Sequence, residues 1–399
     1  MQTKTILAAA LMSSTAVTPV VAQERAQVNF WHAMGGQLGE ITDGFAEEFN
    51  ARQDSCQINS IYKGNYTETM TQAIAAFRAG EQPHIVQVFE VGTATMMAAE
   101  DNGAVYPVHQ LMEDAGVAFD EGDYLPAVIS YYTDTDGNLL SLPFNSSTPV
   151  MWYNATAFEE AGVEVPTTWD EVEEAARALK ENGVEAPFGF GWQSWTQIET
   201  FSAWHDLPLG TEENGFAGLG TEFTFNNDDV VNHIARIAEM GEEGLFSYGG
   251  RRGDSRSMFV NGETAMWINS SAYYGGFASD IEDFEFGQAM LPLDTDLAEE
   301  PQNSIIGGAT LWVLQGHESP EYTCTAEFFS FLSEPEQQAM WHQETGYVPI
   351  TTAAYELSQE QGFYEEAPGT DTAIKQLSLN EPTPNSKGLR FGNFVQIRD

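Results

Sequence analysis

Basic residues are scarce. Among 399 residues there are 15 Lys and Arg against 60 Asp and Glu, a formal net charge of -45. Such a surface repels nucleic acid and anionic lipid headgroups, so no nucleic acid is expected as a partner. The acids are spread along the chain rather than clustered as ligands. That favours a surface adapted to a salty medium, where screening beyond ~10 Å quiets self-repulsion, over a surface built to bind cations.

Cysteine is nearly absent. An oxidising compartment permits a bond between Cys56 and Cys324, but their spacing says nothing about geometry. Long apolar runs are also missing: no stretch reaches the ~18 residues a spanning helix needs. Lys4, the small apolar run from Thr5 to Val21, and Val20-Val21-Ala22 before Gln23 read instead as a signal peptide over residues 1–22,. The cysteine of a lipoprotein anchor is not there. The chain is therefore expected to be soluble and exported to the periplasm.

The motifs of catalysis are missing too. There is no GxSxG, HExxH, P-loop or GxGxxG, and the seven histidines lack metal-ligand spacing,. Among 60 carboxylates some pair always resembles a glycosidase dyad, so such a pair carries little information,. No enzyme activity, cofactor or metal is expected.

Strand and helix signals alternate. Strands are predicted at Val28 to His32, Gln57 to Tyr62, Ile85 to Phe89, Pro149 to Tyr153, Ala265 to Asn269 and Ile305 to Leu314. Helices are predicted from Gly36 to about Asn50, over Thr67 to Ala79 with Ile74 and Phe77 inward, and through Met96-Met97. Two more are predicted after Thr168 as N-cap and from Ser319 to Phe331,. This pattern implies an α/β protein with a mainly parallel sheet in each lobe, flanked by helices. The length is too great for one ordinary core, so two lobes are expected, with the ligand in the cleft between them. The lobes are placed at 23–138 with 304–345 and at 139–303 with 346–399.

Aromatics recur in polar, glycine-rich contexts: Trp31, Tyr66, Trp192, Trp195, Trp204, Tyr273, Tyr274 and Tyr347. One such residue is more often core than platform; several at strand ends suit the CH face of a polyol. Ser146-Ser147-Thr148, Ser270-Ser271 and Gly307-Gly308 lie where hydroxyls and backbone N–H groups can cradle an anion, although each alone reads as a turn or cap,. Six basic residues fall in two windows, Arg251, Arg252, Arg256 and Lys387, Arg390, Arg398. Arginine retained in so acidic a chain offers a fork suited to phosphate.

Several strings then match a known family. NFWHAMGG, YKGNYTETMTQAIAAFRAG, FEVGTATMMAAE, PFNSSTPVMWYN, GWQSWTQIETFSAW, IIGGATLWV, WHQETGYVPIT, QGFYEEAPGTDTA and KGLRFGN occur in order along nearly the whole chain. Together they resemble the periplasmic glycerol-3-phosphate-binding proteins of bacterial ABC importers, within the maltose-binding-like extracellular solute-binding proteins. The resemblance implies a two-lobed type II binding fold closing on sn-glycerol 3-phosphate or on glycerophosphodiesters such as glycerophosphocholine. It implies a membrane permease as partner, and the protein is expected to act as a monomer. Its pocket falls on Tyr66, Glu90, Ser147, Ser270, Gly308, Tyr347 and Arg398, with Trp192 and Trp195 as an aromatic wall. Arg398, Tyr347, Ser147, Ser270 and Gly308 are expected to share the phosphate. Glu90, which phosphate would repel, is expected to take glycerol hydroxyls at the other end. Where this family continues through a further C-terminal helix, the chain stops at Asp399; either the chain is a fragment, or Arg398, beside a free carboxylate, is weakly anchored. A neutral oligosaccharide is the alternative ligand; a secreted hydrolase and a structural surface protein fit the motifs less well.

Overall fold

A computed structural model describes residues 25–398, apart from Leu219 and Asn393. The expected signal peptide lies outside the described residues. Among the described residues, ten strands form two sheets. The first runs β2 (Cys56–Tyr62), β1 (Ala26–His32), β3 (Ile85–Phe89), β10 (Gly307–Leu314), β4 (Val105–Tyr106), with β5 (Leu142–Ser147) also paired to β10. The second runs β7 (Phe188–Phe190), β8 (Met266–Ser270), β6 (Pro149–Asn154), β9 (Phe286–Ala289). Helices pack on both. Among the described residues, no helix is long and apolar enough to cross a membrane.

Sequence signals account for much of this. Strand β3 is buried along its full length, as its apolar run predicts. Its one polar residue, Gln87, is satisfied: it accepts from the Ala33 N–H at 2.7 Å and donates to Asn145 Oδ1 at 2.8 Å. Thr168 caps the helix Trp169–Glu181 in a capping box with Glu171,. That helix buries Trp169, Val172, Ala176 and Leu179 against the second sheet. In the helix Tyr66–Ala79 the buried residues are Thr69, Met70 and Ala73. Ile74 is exposed, contrary to expectation, because it stands one position off that stripe,.

The expectation of mainly parallel sheets is corrected. β1 pairs parallel with β2 and β3, and β7 with β8. β10 runs antiparallel to β3, β4 and β5, and β6 antiparallel to β8 and β9. The reason is how the chain crosses between lobes. β3 and β5 leave the first sheet at the cleft, while β10 enters the same sheet from the cleft and must run against them. β6 likewise starts at the cleft where β8 ends.

β5 belongs to the first sheet, so the chain first leaves that sheet at Thr148, beyond the boundary expected after residue 138. Pro143 hid the strand: it sits opposite Thr310 beside a register shift, where a missing N–H is tolerated,.

Cys56 and Cys324 are disulfide-bonded, tying the first residue of β2 to the helix Ser319–Leu332 across 268 positions. This end of β2 is opposite the cleft. Reduction, or replacement of both cysteines by Ala, is expected to cost ~2–4 kcal/mol in denaturant unfolding while leaving ligand affinity unchanged. Unchanged stability would show that the loop closure contributes nothing.

Candidate functional site

The strands that end at the cleft deliver polar or aromatic groups. β3 ends in Phe89 and is followed directly by Glu90, β5 ends in Ser147 and β8 in Ser270; the segment after β7 carries Trp192 and Trp195. Asn65 caps the next helix in a capping box with Glu68 and so fixes Tyr66 at its first position,. These residues, with Gly308, Tyr347 and Arg398, line one cavity of about 230 Å³. All nine residues named from the sequence meet there. Leu38, Phe89, Ala272, Tyr273 and Gly307 complete the wall. Of these, Tyr273 had a sequence signal as one of the recurring aromatics, and Gly307 as part of the Gly307-Gly308 pair.

Two glycines make the wall possible. Gly308 has φ +95°, and a Cβ there would stand 1.8 Å from the Asn145 carbonyl oxygen,. A Cβ on Gly307 would stand 2.3 Å from the Trp195 ring. Gly307 therefore lets the indole come close against the backbone, where its Nε1–H donates to the Ile306 oxygen at 3.3 Å.

On the first-lobe side, Tyr66 stacks on Phe89 with ring centres 5.4 Å apart. Asn145 Nδ2 donates to the Tyr66 hydroxyl at 2.8 Å. Burial pushes the Tyr66 phenol well up, with Tyr347 adding to it; burial does the same to Tyr347, whose ring stacks on Trp341 at 5.3 Å. Both stay neutral at ordinary pH and keep a proton to donate.

The electrostatic centre is Arg398. Its side chain is 5% exposed, so it is firmly anchored, contrary to the expectation of weak anchoring. Nη1 pairs with Glu90 Oε1, and Nε donates to Glu199 Oε1 at 2.9 Å. Nη2 is buried and has no hydrogen-bond partner among the described residues. Burial alone would lower the Arg398 pKa, but Glu199 and Glu90 outweigh it and raise it. Glu90 therefore sits on Arg398 rather than at the opposite end of the pocket. A buried guanidinium must be paired, and Glu90 is within reach.

Glu199, which sequence reading missed, is the third member. It closes the π-helical turn Trp195–Glu199, a local widening that often marks functional sites,. Burial pushes its carboxyl up to about 7, Arg398 pulling down against that and Glu90 pushing up. One guanidinium thus faces two carboxylates, and an incoming anion meets a donor already shared.

Other basic residues of the two windows go elsewhere. Arg390 is buried and donates to the carbonyls of Tyr131 and Thr133. Burial pushes its pKa down to about 10. Arg256 pairs with Asp280 and Lys387 lies over Phe216. Trp204 is core, Trp31 lies under Lys63, and Tyr274 meets Phe363 edge-on. Ser146 and Ser271 are buried behind the wall.

His84, His317 and Glu321 also come together, away from the cleft. His84 Nδ1 accepts the Asn29 N–H at 3.1 Å, so the ring proton sits on Nε2 and points to Glu321 at 3.4 Å. In that tautomer neither ring nitrogen of His84 has a lone pair free for a metal.

A family model described as bacterial extracellular solute-binding protein matches residues 44–371. The chain is 47% identical over 381 residues to the sn-glycerol-3-phosphate-binding periplasmic protein UgpB of Escherichia coli K12, covering 94% of this chain and 86% of that one. Among solved structures, UgpB from Mycobacterium tuberculosis in complex with glycerophosphocholine is similar with a TM-score of 0.75 at 22% identity, covering 90% of this chain and 87% of that one. Maltose-bound MalE3 of T. maritima is similar with a TM-score of 0.74 at 17% identity, covering 94% and 92%. These two show the fold.

Proposed function

The chain belongs to the bacterial extracellular solute-binding protein family, and we propose that it captures sn-glycerol 3-phosphate or a glycerophosphodiester in the periplasm and hands it to the permease of an ABC importer. The carrying observation is the convergence of all nine sequence-assigned residues on one cavity whose centre is a buried arginine with an unshared N–H donor. Arg398 Nη2, Ser147, Ser270, the Gly308 backbone and Tyr347 are the donors for phosphate; charge-assisted bonds of ~1.5–3 kcal/mol each offset its desolvation. Trp192 and Trp195 cover the carbon skeleton. The ligand stabilises the closed arrangement of the lobes by its differential affinity. We place the first lobe at residues 25–147 with 304–345. The protein binds without turnover, acts as a monomer, and does not engage nucleic acid.

The cavity volume of about 230 Å³ favours a small ester over an oligosaccharide; sites for drug-sized ligands run to ~300–1,000 Å³. Glycerol 3-phosphate at about 100 times its Kd is expected to stabilise the fold by ~2.7 kcal/mol, seen as a rise in Tm. Neither glycerol nor inorganic phosphate is released on prolonged incubation. An unmoved Tm with both glycerol 3-phosphate and glycerophosphocholine at millimolar concentration would overturn the assignment.

A further inference from the structure

A second cavity of about 240 Å³ adjoins the first. The two share Trp192, Trp195 and Arg398, so the indole pair and the guanidinium form the partition between them. Arg251 and Arg252 line the outer chamber. Three arginines around one chamber are notable where only 15 basic residues face 60 acids. Exposed Tyr248 forms part of its rim.

The chamber is built, not incidental. Trp192 and Arg252 both hold positive φ, 49° and 53°, which is costly for residues with large side chains,. Each locks the other: the Trp192 N–H donates to the Arg252 oxygen at 2.9 Å. Gln193 Nε2 donates to the Gly250 oxygen at 2.6 Å, clamping the same two loops. Gly191 admits this close approach, since a Cβ there would stand 2.2 Å from the Arg252 oxygen. The result holds the Trp192 ring at the inner cavity and the Arg252 guanidinium 5.6 Å from the ring centre. Strain maintained at two residues facing a partition is a mark of function rather than of folding.

We infer that the outer chamber is a second anion subsite, fitted to glycerophosphodiesters whose second alcohol carries its own phosphate or carboxylate. This rests on the reading of the inner cavity as the glycerol-phosphate site. A monoester fills the inner cavity alone. A diester held at Arg398 extends its second alcohol past the indoles, and an anionic head there meets Arg251 and Arg252. A quaternary ammonium head meets the same two charges and is repelled.

Calorimetric titration of the whole exported protein tests this with three probes: glycerol 3-phosphate, glycerophosphocholine and glycerophosphoinositol 4-phosphate. The wild type is expected to bind the phosphate-bearing diester about tenfold tighter than glycerophosphocholine. R251Q is expected to weaken that diester roughly fivefold, a magnitude suited to an exposed charge pair, and to leave glycerol 3-phosphate within about twofold. R251Q/R252Q enlarges the loss; R251Q alone keeps the test valid if the double variant fails to fold. Equal weakening of monoester and diester would mean general steering of anions and would overturn the subsite. So would glycerophosphocholine binding as tightly as the anionic diester while glycerol 3-phosphate still binds. Failure of all three ligands to bind wild type would overturn the inner-site reading as well.

Discussion

Arg398→Leu abolishes binding of glycerol 3-phosphate and destabilises the ligand-free protein by ~3–5 kcal/mol, the cost of leaving buried charge without its partner. The residue pairs with Glu90 and Glu199, and all three side chains are less than 10% exposed. Removing the cation leaves two carboxylates facing each other in a site with little water. Two effects are then superimposed, and a second variant separates them. In E90Q/E199Q/R398L no charge remains to be stranded, so most of the lost stability returns while binding does not. Denaturant unfolding measures the first quantity and titration with glycerol 3-phosphate the second. If R398L retains binding within about tenfold, Arg398 is a structural ion-pair partner and not the phosphate donor.

The second large effect is on pH. Glu199 titrates at about 7 in the folded protein, against 4.5 when exposed. Its folded-state pKa is raised, so the folded protein holds a proton that the unfolded chain releases. Its contribution is complete below pH 4.5 and is lost as pH rises to about 7, in total ~3 kcal/mol. Buried His342 acts in the opposite sense: burial holds its imidazole down at about 4, so its contribution is present above pH 6.5 and lost as pH falls toward 4,. The whole-protein profile mixes these two with other histidines whose pKa burial lowers, His205 and His233 among them. The difference between wild type and Glu199→Gln isolates the carboxylate, and this difference is expected to fall from pH 4.5 to 7 and stay flat above.

Ligand binding follows the same group. Glu199 faces Arg398 and Glu90, with Tyr131 held neutral nearby by burial. A phosphate sharing Arg398 weakens the Arg398–Glu199 pair and favours protonated Glu199. Glycerophosphocholine is the right probe, because its phosphodiester keeps one charge whereas a monoester titrates near pH 6. Its affinity is expected to rise about tenfold as pH falls from 8.5 to 6.5, with proton uptake seen by calorimetry in two buffers of different ionisation enthalpy. Glu199→Gln removes both. A slope that persists in Glu199→Gln would assign the proton elsewhere.

The aromatic wall and Ser147 were legible because each belongs to a long, distinctive string; Ser270 and Arg398 lie outside those strings and were placed by the family resemblance. Glu199 was not, although it lies within one of those strings: among 60 acids, nothing local marks the one that burial will perturb. Arg390 and Arg398 look alike in the chain, eight positions apart. One is spent on the carbonyls of Tyr131 and Thr133, the other faces the cavity. Only packing separates them.

The excess of acidic residues is a statement about composition, and the sequence determines it unaided. So does the strand–helix alternation, because periodicity and capping act over a few residues. The direction of β10, the site of the first crossing at Thr148, the Glu90–Arg398–Glu199 triad and the outer chamber join residues as many as 308 positions apart. These depend on where the chain returns after leaving a lobe and on which charges lose their water together. Such properties belong to three-dimensional proximity, and the tertiary structure alone decided them.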